Sequence, residues 1–177
     1  MTVHNEYGYA LFLLAKEEGI LEATLDDVRV ADELLRKNED YVKLLDTPAL
    51  AKDEKIALID KAFGTLSSQV VNLLKILCEK RAVHSFAEVF GSYFSAYDAE
   101  MGIERVEAVT AVEMTESQLS KLKAKLESLT GKTIVIKNTV SPEILGGVKL
   151  RYSVIQIDGS VKSRLDSFSE SLKNIVI

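Results

Sequence analysis

The side chains that could do covalent or metal chemistry are few in this sequence. It contains one cysteine, Cys78, and two histidines, and a thiol beside an imidazole is a minimal pair for nucleophilic catalysis. Cys78 and His84 are six residues apart, which on one continuous helix places them about 240° apart around the axis. They would therefore not face each other, and we expect a buried thiol and a histidine at a helix end. With so few nitrogen and sulfur ligands, the sequence predicts no metal site and no cofactor.

A second candidate is the glycine pair Gly146-Gly147, which follows Pro142 and precedes the Asp-Gly-Ser sequence that begins at Asp158. Adjacent glycines could cradle a phosphate, and an aspartate could act as a catalytic carboxylate. However, no Lys-Ser or Lys-Thr pair follows the glycines, and neither the P-loop nor the dinucleotide spacing is present. Asp158 in Asp-Gly-Ser favours a turn before a helix. A small nucleotide- or phosphate-binding enzyme domain that uses Gly146-Gly147 stays open as the alternative function.

Composition limits the classes of protein to consider. Apolar residues make up 47% and charged residues 28% of the chain, which is typical of a globular protein. Residues 1–102 hold 18 acidic and 11 basic side chains, so we expect a basic protein partner and no nucleic acid. The apolar runs are far shorter than the roughly 18 to 20 residues of a membrane span. No secretory leader is recognised. We therefore expect a cytoplasmic protein that meets a membrane only through a partner.

The first half of the chain has helical periodicity throughout. The spacing of apolar residues predicts six helices, at about 5–18, 21–37, 39–45, 53–63, 67–81 and 85–100. Gly64 is expected to end the fourth helix as a left-handed C-terminal residue. The fifth helix is apolar over more than half its circumference, so one face should meet the bundle and another should need cover. The aromatic residues of the sixth helix are interpreted as core.

After Gly102 the periodicity changes to that of a small sheet. A strand covers 106–112, the capping box of Thr115 and Gln118 begins a helix that Gly131 ends, and a second strand covers 133–140. Segments 148–152 and 154–157 predict a hairpin, and a last helix begins at Ser160. The fold class is therefore α+β, with a six-helix bundle over residues 1–102 and a small α+β domain, its sheet covered by two helices, over residues 103–177.

Several short motifs occur in one order along almost the whole chain. The glycine pair precedes Val148, and Asp158 begins Asp-Gly-Ser-Val-x-x-Arg-Leu. The other motifs are Tyr7 to Lys16, Leu45-Asp46-Thr47-Pro48 with Lys55, and Leu73 to Arg81. Each is weak alone, but together they are specific. In them the sequence resembles the delta subunit of bacterial F-type ATP synthase, the homologue of the mitochondrial oligomycin-sensitivity-conferring protein.

The resemblance implies a non-catalytic stator subunit that links the catalytic head to the peripheral stalk, so that the head resists rotor torque during proton- or ion-driven ATP synthesis. In this family the N-terminal helix of a head alpha subunit lies in a groove between the first and fifth helices, a mode that needs an apolar floor and a polar rim. Glu6, Glu17 and Glu18 could steer a basic helix towards it. The implied floor residues are Tyr7, Leu11 and Leu14 with Val70, Leu74 and Leu77. Leu74→Asp should then release the helix and leave the chain folded.

For the C-terminal domain the resemblance implies binding to the C-terminal ends of the stalk's b subunits. The implied contact residues are Gly146, Gly147, Asp158, Ser160, Arg164 and Leu165. The location implied is the cytoplasmic face of the bacterial plasma membrane, as a peripheral part of the complex.

Three positions depart from the family pattern. Gly8 stands where alanine is usual, which should loosen the first helix by up to about 1 kcal/mol. Ser141 replaces an aspartate before Pro142, and residues 152–155 replace a Gly-Asp type turn. Composition alone would support no more than a generic helical scaffold unrelated to energy coupling.

Overall fold

The computed structural model describes residues 3–144, 146–152 and 155–158 of the 177-residue chain. These residues form an α+β protein, as predicted. The chain divides into two compact units, Met1–Asp98 and Ala99–Ile177, so the division falls a few residues before the predicted boundary. The helices that begin in the first unit are α1 Val3–Glu17, α2 Leu21–Lys37, α3 Glu39–Asp46, α4 Lys52–Phe63, α5 Ser68–Glu79 and α6 Phe86–Glu100, with a 3₁₀ turn at Val83–Ser85.

The core of the first unit follows from the apolar stripes of its helices. Helix α5 contacts α1, α2 and α4, and its side chains Val70, Leu74 and Leu77 are fully buried. Helix α2 contributes Val28 and Ala31 from the stripe that its sequence predicts. The other large side chains in this core are Leu45, Ile59, Phe63, Phe86, Val89 and Tyr93. The prediction that the aromatic residues of α6 belong to the core is therefore confirmed for Phe86, Tyr93 and Tyr97.

Helices α1 and α6 approach each other closely at Gly8. A Cβ at this position would overlap the carbonyl oxygen of Val89 and would lie 2.7 Å from the Cβ of Ser92. The Ser92 hydroxyl donates a hydrogen bond of 2.6 Å to the Asn5 carbonyl, which fixes the same crossing. The expected loss of helix propensity at Gly8 is therefore only part of its effect, since its missing side chain is what lets the two helices meet here.

Buried Tyr93 ties α6 to the start of α2. Its hydroxyl donates a hydrogen bond of 2.9 Å to the Leu21 carbonyl, and burial raises the pKa of the phenol to about 12. The hydroxyl therefore stays protonated, and available as a donor, at physiological pH.

A buried lysine joins α4 to the end of α3. The Lys55 ammonium donates hydrogen bonds of 2.6 Å and 2.5 Å to the carbonyls of Leu45 and Thr47. Carbonyls at a helix C-terminus lack partners within the helix, and a cation satisfies them while favouring the negative end of the helix dipole. Asp46 accepts hydrogen bonds from the backbone of Val83 and His84. The Leu-Asp-Thr-Pro motif with its distant lysine therefore has a structural role, which the sequence reading did not identify.

The second unit is built on a four-stranded sheet with the order β2-β1-β3-β4. Its elements are β1 Ile103–Thr110, α7 Glu116–Thr130, β2 Thr133–Val140, β3 Val148–Tyr152 and β4 Ile155–Asp158. Strands β1 and β2 are parallel and are joined through α7, whereas β3 pairs antiparallel with both β1 and β4. Among the described residues of this unit, the buried apolar side chains are those of Val106, Ala108, Val109 and Ile134, on β1 and β2.

The helix ends and turns of the two units agree with most of the sequence signals. Thr115 and Gln118 form the predicted capping box, and Gly131 ends α7 in the left-handed conformation with φ of 68°. Gly64 differs, because its φ of −64° is right-handed and the end of α4 does not use its conformational freedom. The predicted hairpin is confirmed as β3 and β4, but its two-residue connection and the predicted helix from Ser160 lie outside the described residues.

Candidate partner-binding groove

A groove of about 390 Å³ runs along the first unit between α1 and α5. Helix α1 places Leu11 in its floor and Leu14 in its wall, and α5 places Leu73 and Ile76 opposite them. The remaining side chains that line it are Tyr7, Ala10, Glu18, Ser68, Gln69 and Asn72. The groove is therefore lined by both apolar and polar residues, and each of the two helices contributes apolar side chains to it.

The burial of the lining residues distinguishes floor from wall. Leu11 and Leu73 are almost fully buried, whereas Leu14 and Ile76 expose 41% and 44% of their surface. The side-chain amide of Gln69 donates a hydrogen bond to the Glu18 carboxylate and so bridges the two helices at one end. Burying the exposed part of an aliphatic side chain contributes roughly 1–2 kcal/mol. A partner that covers Leu14 and Ile76 would therefore gain a measurable binding free energy.

The size of the groove matches a short helical segment. The lining residues extend from Tyr7 on α1 to Glu18, just after its end, and from Ser68 to Ile76 on α5. At 1.5 Å per residue these stretches measure about 16 Å and about 12 Å. A partner helix of two to three turns with apolar residues at i, i+3 or i+4, and i+7 fits that length.

The structure brings only part of the predicted floor to this groove. Tyr7, Leu11 and Leu14 line it, as expected for α1. Val70, Leu74 and Leu77 do not, because all three have 0% exposure and point into the core of their own unit. The choice of these three residues for the α5 side of the groove is therefore wrong, and Leu73 and Ile76 take their place.

One sequence signal could have separated the two faces of α5. Residues 70, 74 and 77 form an entirely apolar stripe, which is typical of core. The neighbouring stripe, Gln69, Asn72, Leu73 and Ile76, has the same helical spacing but mixes amides with aliphatic side chains. A helix stripe that mixes polar and apolar side chains in this way is typical of a surface that is exposed to water in the free protein and is covered when a partner binds.

The candidate catalytic residues form no reaction centre. Cys78 is buried, its thiol lies 3.5 Å from the Leu45 carbonyl, and burial raises its pKa, so it stays a protonated thiol at neutral pH. His84 instead pairs with Asp46, at 2.7 Å between Nδ1 and Oδ2. Among the described residues, no group of three or more histidine, cysteine, aspartate or glutamate side chains could hold a metal ion.

The glycine pair is part of a turn that enters the sheet. Gly146 and Gly147 have φ of 157° and 87° and directly precede β3, with Gly147 exposed. A phosphate loop needs a helix N-terminus after its glycines, and here a strand follows, which leaves the nucleotide-binding alternative without support. Asp158 ends β4 opposite Lys149. The other predicted contact residues, Ser160, Arg164 and Leu165, lie outside the described residues.

Comparisons with known proteins agree on one family. The family model described as ATP synthase delta (OSCP) subunit matches residues 3–172. The ATP synthase subunit delta of Clostridioides difficile is 31% identical over 177 residues, covering 99% of this chain and 98% of that protein. That of Alkaliphilus metalliredigens is also 31% identical, with the same coverage.

The fold is also that of a solved structure. A chain of the Toxoplasma gondii mitochondrial ATP synthase hexamer matches with a TM-score of 0.73 at 22% identity, covering 97% of this chain and 98% of that one. Across the part of the chain that the structure describes, no helix has the length and apolar character of a bilayer span. Because the family model matches residues 3–172 and two ATP synthase delta subunits are 31% identical to this chain, the chain belongs to the ATP synthase delta (OSCP) subunit family.

Proposed function

We propose that this chain is a non-catalytic stator subunit of an F-type ATP synthase, which connects the catalytic head to the peripheral stalk and holds the head against rotor torque. The observation that carries the proposal is the open, amphipathic groove between α1 and α5 in a chain of this family. A stator element needs surfaces that bind, not groups that react. The absence of a paired nucleophile among Cys78 and His84 agrees with this role.

The occupant proposed for the groove is the N-terminal helix of a head alpha subunit. Leu14 and Ile76 would cover its apolar face, and Gln69 and Asn72 would meet its polar edge. Exposed Glu6, Glu17 and Glu18 favour basic residues on the partner, since opposite charges speed association. The helices of the first unit would act as one bundle that presents this groove.

Ile76→Asp is expected to weaken binding of an alpha N-terminal peptide without unfolding the chain. The substitution removes an apolar wall and places a carboxylate where the partner excludes water, which costs roughly 2–3 kcal/mol, or about 30- to 150-fold in Kd. Calorimetric titration of the peptide into the full chain measures the change.

Leu34→Asp is the matched control for this variant. Leu34 lies near the end of α2, is 40% exposed, close to the 44% of Ile76, and does not line the groove. We expect its peptide affinity to stay within about twofold of the unsubstituted chain. Equal affinities for Ile76→Asp and Leu34→Asp would place the partner helix elsewhere and contradict the proposed occupant.

The second unit is proposed to bind the C-terminal ends of the stalk's b subunits, around Gly146, Gly147 and Asp158, and around Ser160, Arg164 and Leu165. The exposed turn at Gly147 and the family of the chain support this placement. The complex would then hold the chain at the cytoplasmic face of the bacterial plasma membrane as a peripheral subunit.

A cysteine cross-linker tests the stalk contact in the assembled complex. Gly147→Cys carrying a short bifunctional reagent is expected to cross-link to a b subunit, whereas unsubstituted Cys78 is buried and should not react. Thr65→Cys, on an exposed residue of the first unit, is the control. Cross-linking of Gly147→Cys to the head alone, or equal b products from both variants, would refute the placement.

A further inference from the structure

A second pocket, which we name the basic pocket, lies between α4 and α5 and has a volume of about 320 Å³. Its charged lining consists of Lys52 and Lys55 from α4, Lys75 and Glu79 from α5, and Arg81 just after α5. Four cations and one carboxylate therefore surround one cavity. This contrasts with residues 1–102 as a whole, where 18 acidic side chains outnumber 11 basic ones.

Two of these cations are neutralised by carboxylates and two are not. Lys52 pairs with Glu79 at 2.7 Å, and Lys75 pairs with Asp60 at 2.6 Å. Lys55 and Arg81 make no ion pair with any residue that the structure describes. Positive charges gathered around one cavity repel each other, and an anion among them would relieve that repulsion.

Lys55 is a built element of this pocket rather than a mobile surface lysine. Its relative exposure is only 7%, and two of its three ammonium N–H donors bond to the carbonyls of Leu45 and Thr47. The carbonyl bonds fix the position of the ammonium group and leave one N–H donor for a ligand. A buried cation held in this way gives an anion a pre-organised partner.

Arg81 occupies a backbone position that ordinarily belongs to glycine. Its φ is 54°, and the hydrogen bonds Arg81 N to Cys78 O and Ala82 N to Leu77 O close the end of α5 in a Schellman-type turn. A residue with a Cβ costs conformational energy in this left-handed region, whereas glycine does not. The side chain is therefore not needed for the turn, and Arg81 is one of the residues that line the basic pocket.

We propose that the basic pocket binds a phosphate-class oxyanion, either free or as the terminal group of a small phosphate ester. Arg81 would supply a planar pair of donors suited to two oxygens of one anion, and Lys55 would supply one ammonium donor. This site is separate from the α1–α5 groove, and its binding can be measured without any partner subunit.

Arg81→Gly is the sharpest test, because it deletes the guanidinium while giving the turn its preferred residue. Inorganic phosphate is titrated into the full chain at constant ionic strength against chloride, with amide NMR shifts as the readout. We expect saturable shifts at residues 52–56 and 75–82 in the unsubstituted chain. Arg81→Gly should bind phosphate about tenfold more weakly and unfold at the same or a higher temperature without phosphate.

Lys37→Gln, an exposed α2 residue paired with Glu33, controls for loss of one positive charge and should leave phosphate binding unchanged. Methyl phosphate distinguishes a phosphate ester from free phosphate as the ligand. If it binds as tightly as inorganic phosphate, the site is assigned to phosphate esters. If it binds much more weakly than inorganic phosphate, the site is assigned to free phosphate. Phosphate also acts on proteins without a specific site, through general exclusion from their surface. Shifts that grow linearly without saturation would therefore overturn the proposal. Equal phosphate affinities in Arg81→Gly and the unsubstituted chain would overturn it as well.

Discussion

Leu74→Asp is expected to unfold the first unit rather than to release a bound partner from a folded chain. Leu74 has 0% exposure and lies on the core face of α5, beside fully buried Val70 and Leu77. Removing a buried leucine side chain costs about 2–5 kcal/mol, and burying a carboxylate without a partner adds several more. That sum is comparable with the whole stability of a typical domain, about 5–15 kcal/mol.

Far-UV circular dichroism and thermal unfolding of the full chain measure this effect. Ile76→Asp is the matched control, since it adds the same carboxylate two residues further along the same helix, at a side chain that is 44% exposed. The control should keep its helical content and its cooperative transition. If Leu74→Asp kept its native helicity but lost peptide binding, Leu74 would have to lie in the groove, which would contradict its complete burial in the core.

Gly8→Ala is expected to destabilise the first unit, although alanine is the better helix former. The added Cβ would overlap the Val89 carbonyl oxygen and lie 3.0 Å from the Tyr93 nitrogen, and both are backbone atoms that a rotamer change cannot move. Overpacking of this kind costs typically about 1–3 kcal/mol, even with the gain in helix propensity opposing it.

Gly91→Ala is the control, because Gly91 also lies inside a helix and a Cβ there meets nothing within 4 Å. This substitution should stabilise the protein by about 0.5–1 kcal/mol. Urea unfolding followed by circular dichroism compares the two variants. Stabilisation by both substitutions would show that α1 and α6 do not cross as closely as the structure has them.

Local sequence patterns predicted the elements of the fold well. The apolar stripe of α2, the capping box at Thr115 and the left-handed Gly131 are signals that depend on a few neighbouring residues, and each appears where the sequence places it. The change from helical to alternating periodicity after Gly102 likewise marks the start of β1. Such features are set by local geometry and hence can be read without knowing the packing.

Features that depend on packing between distant residues were harder to read. Periodicity finds both stripes of α5 but does not say which one α1 leaves open. Lys55 looks like an ordinary surface lysine until α3 brings the Leu45 carbonyl within 2.6 Å of it. Gly8 likewise looks like a weak point in α1 until Val89 is seen against it. In each case the deciding contact joins residues far apart in the chain.

We propose above that the groove between α1 and α5 receives the N-terminal helix of an alpha subunit. Hydrogen exchange of the full chain, with and without an alpha N-terminal peptide, tests it most directly because it locates the contact. We expect the peptide to slow exchange in residues 7–18 and 68–76, with little change in α2 or in the sheet of the second unit. Protection confined to any other surface, with unchanged exchange in both of those segments, would contradict it.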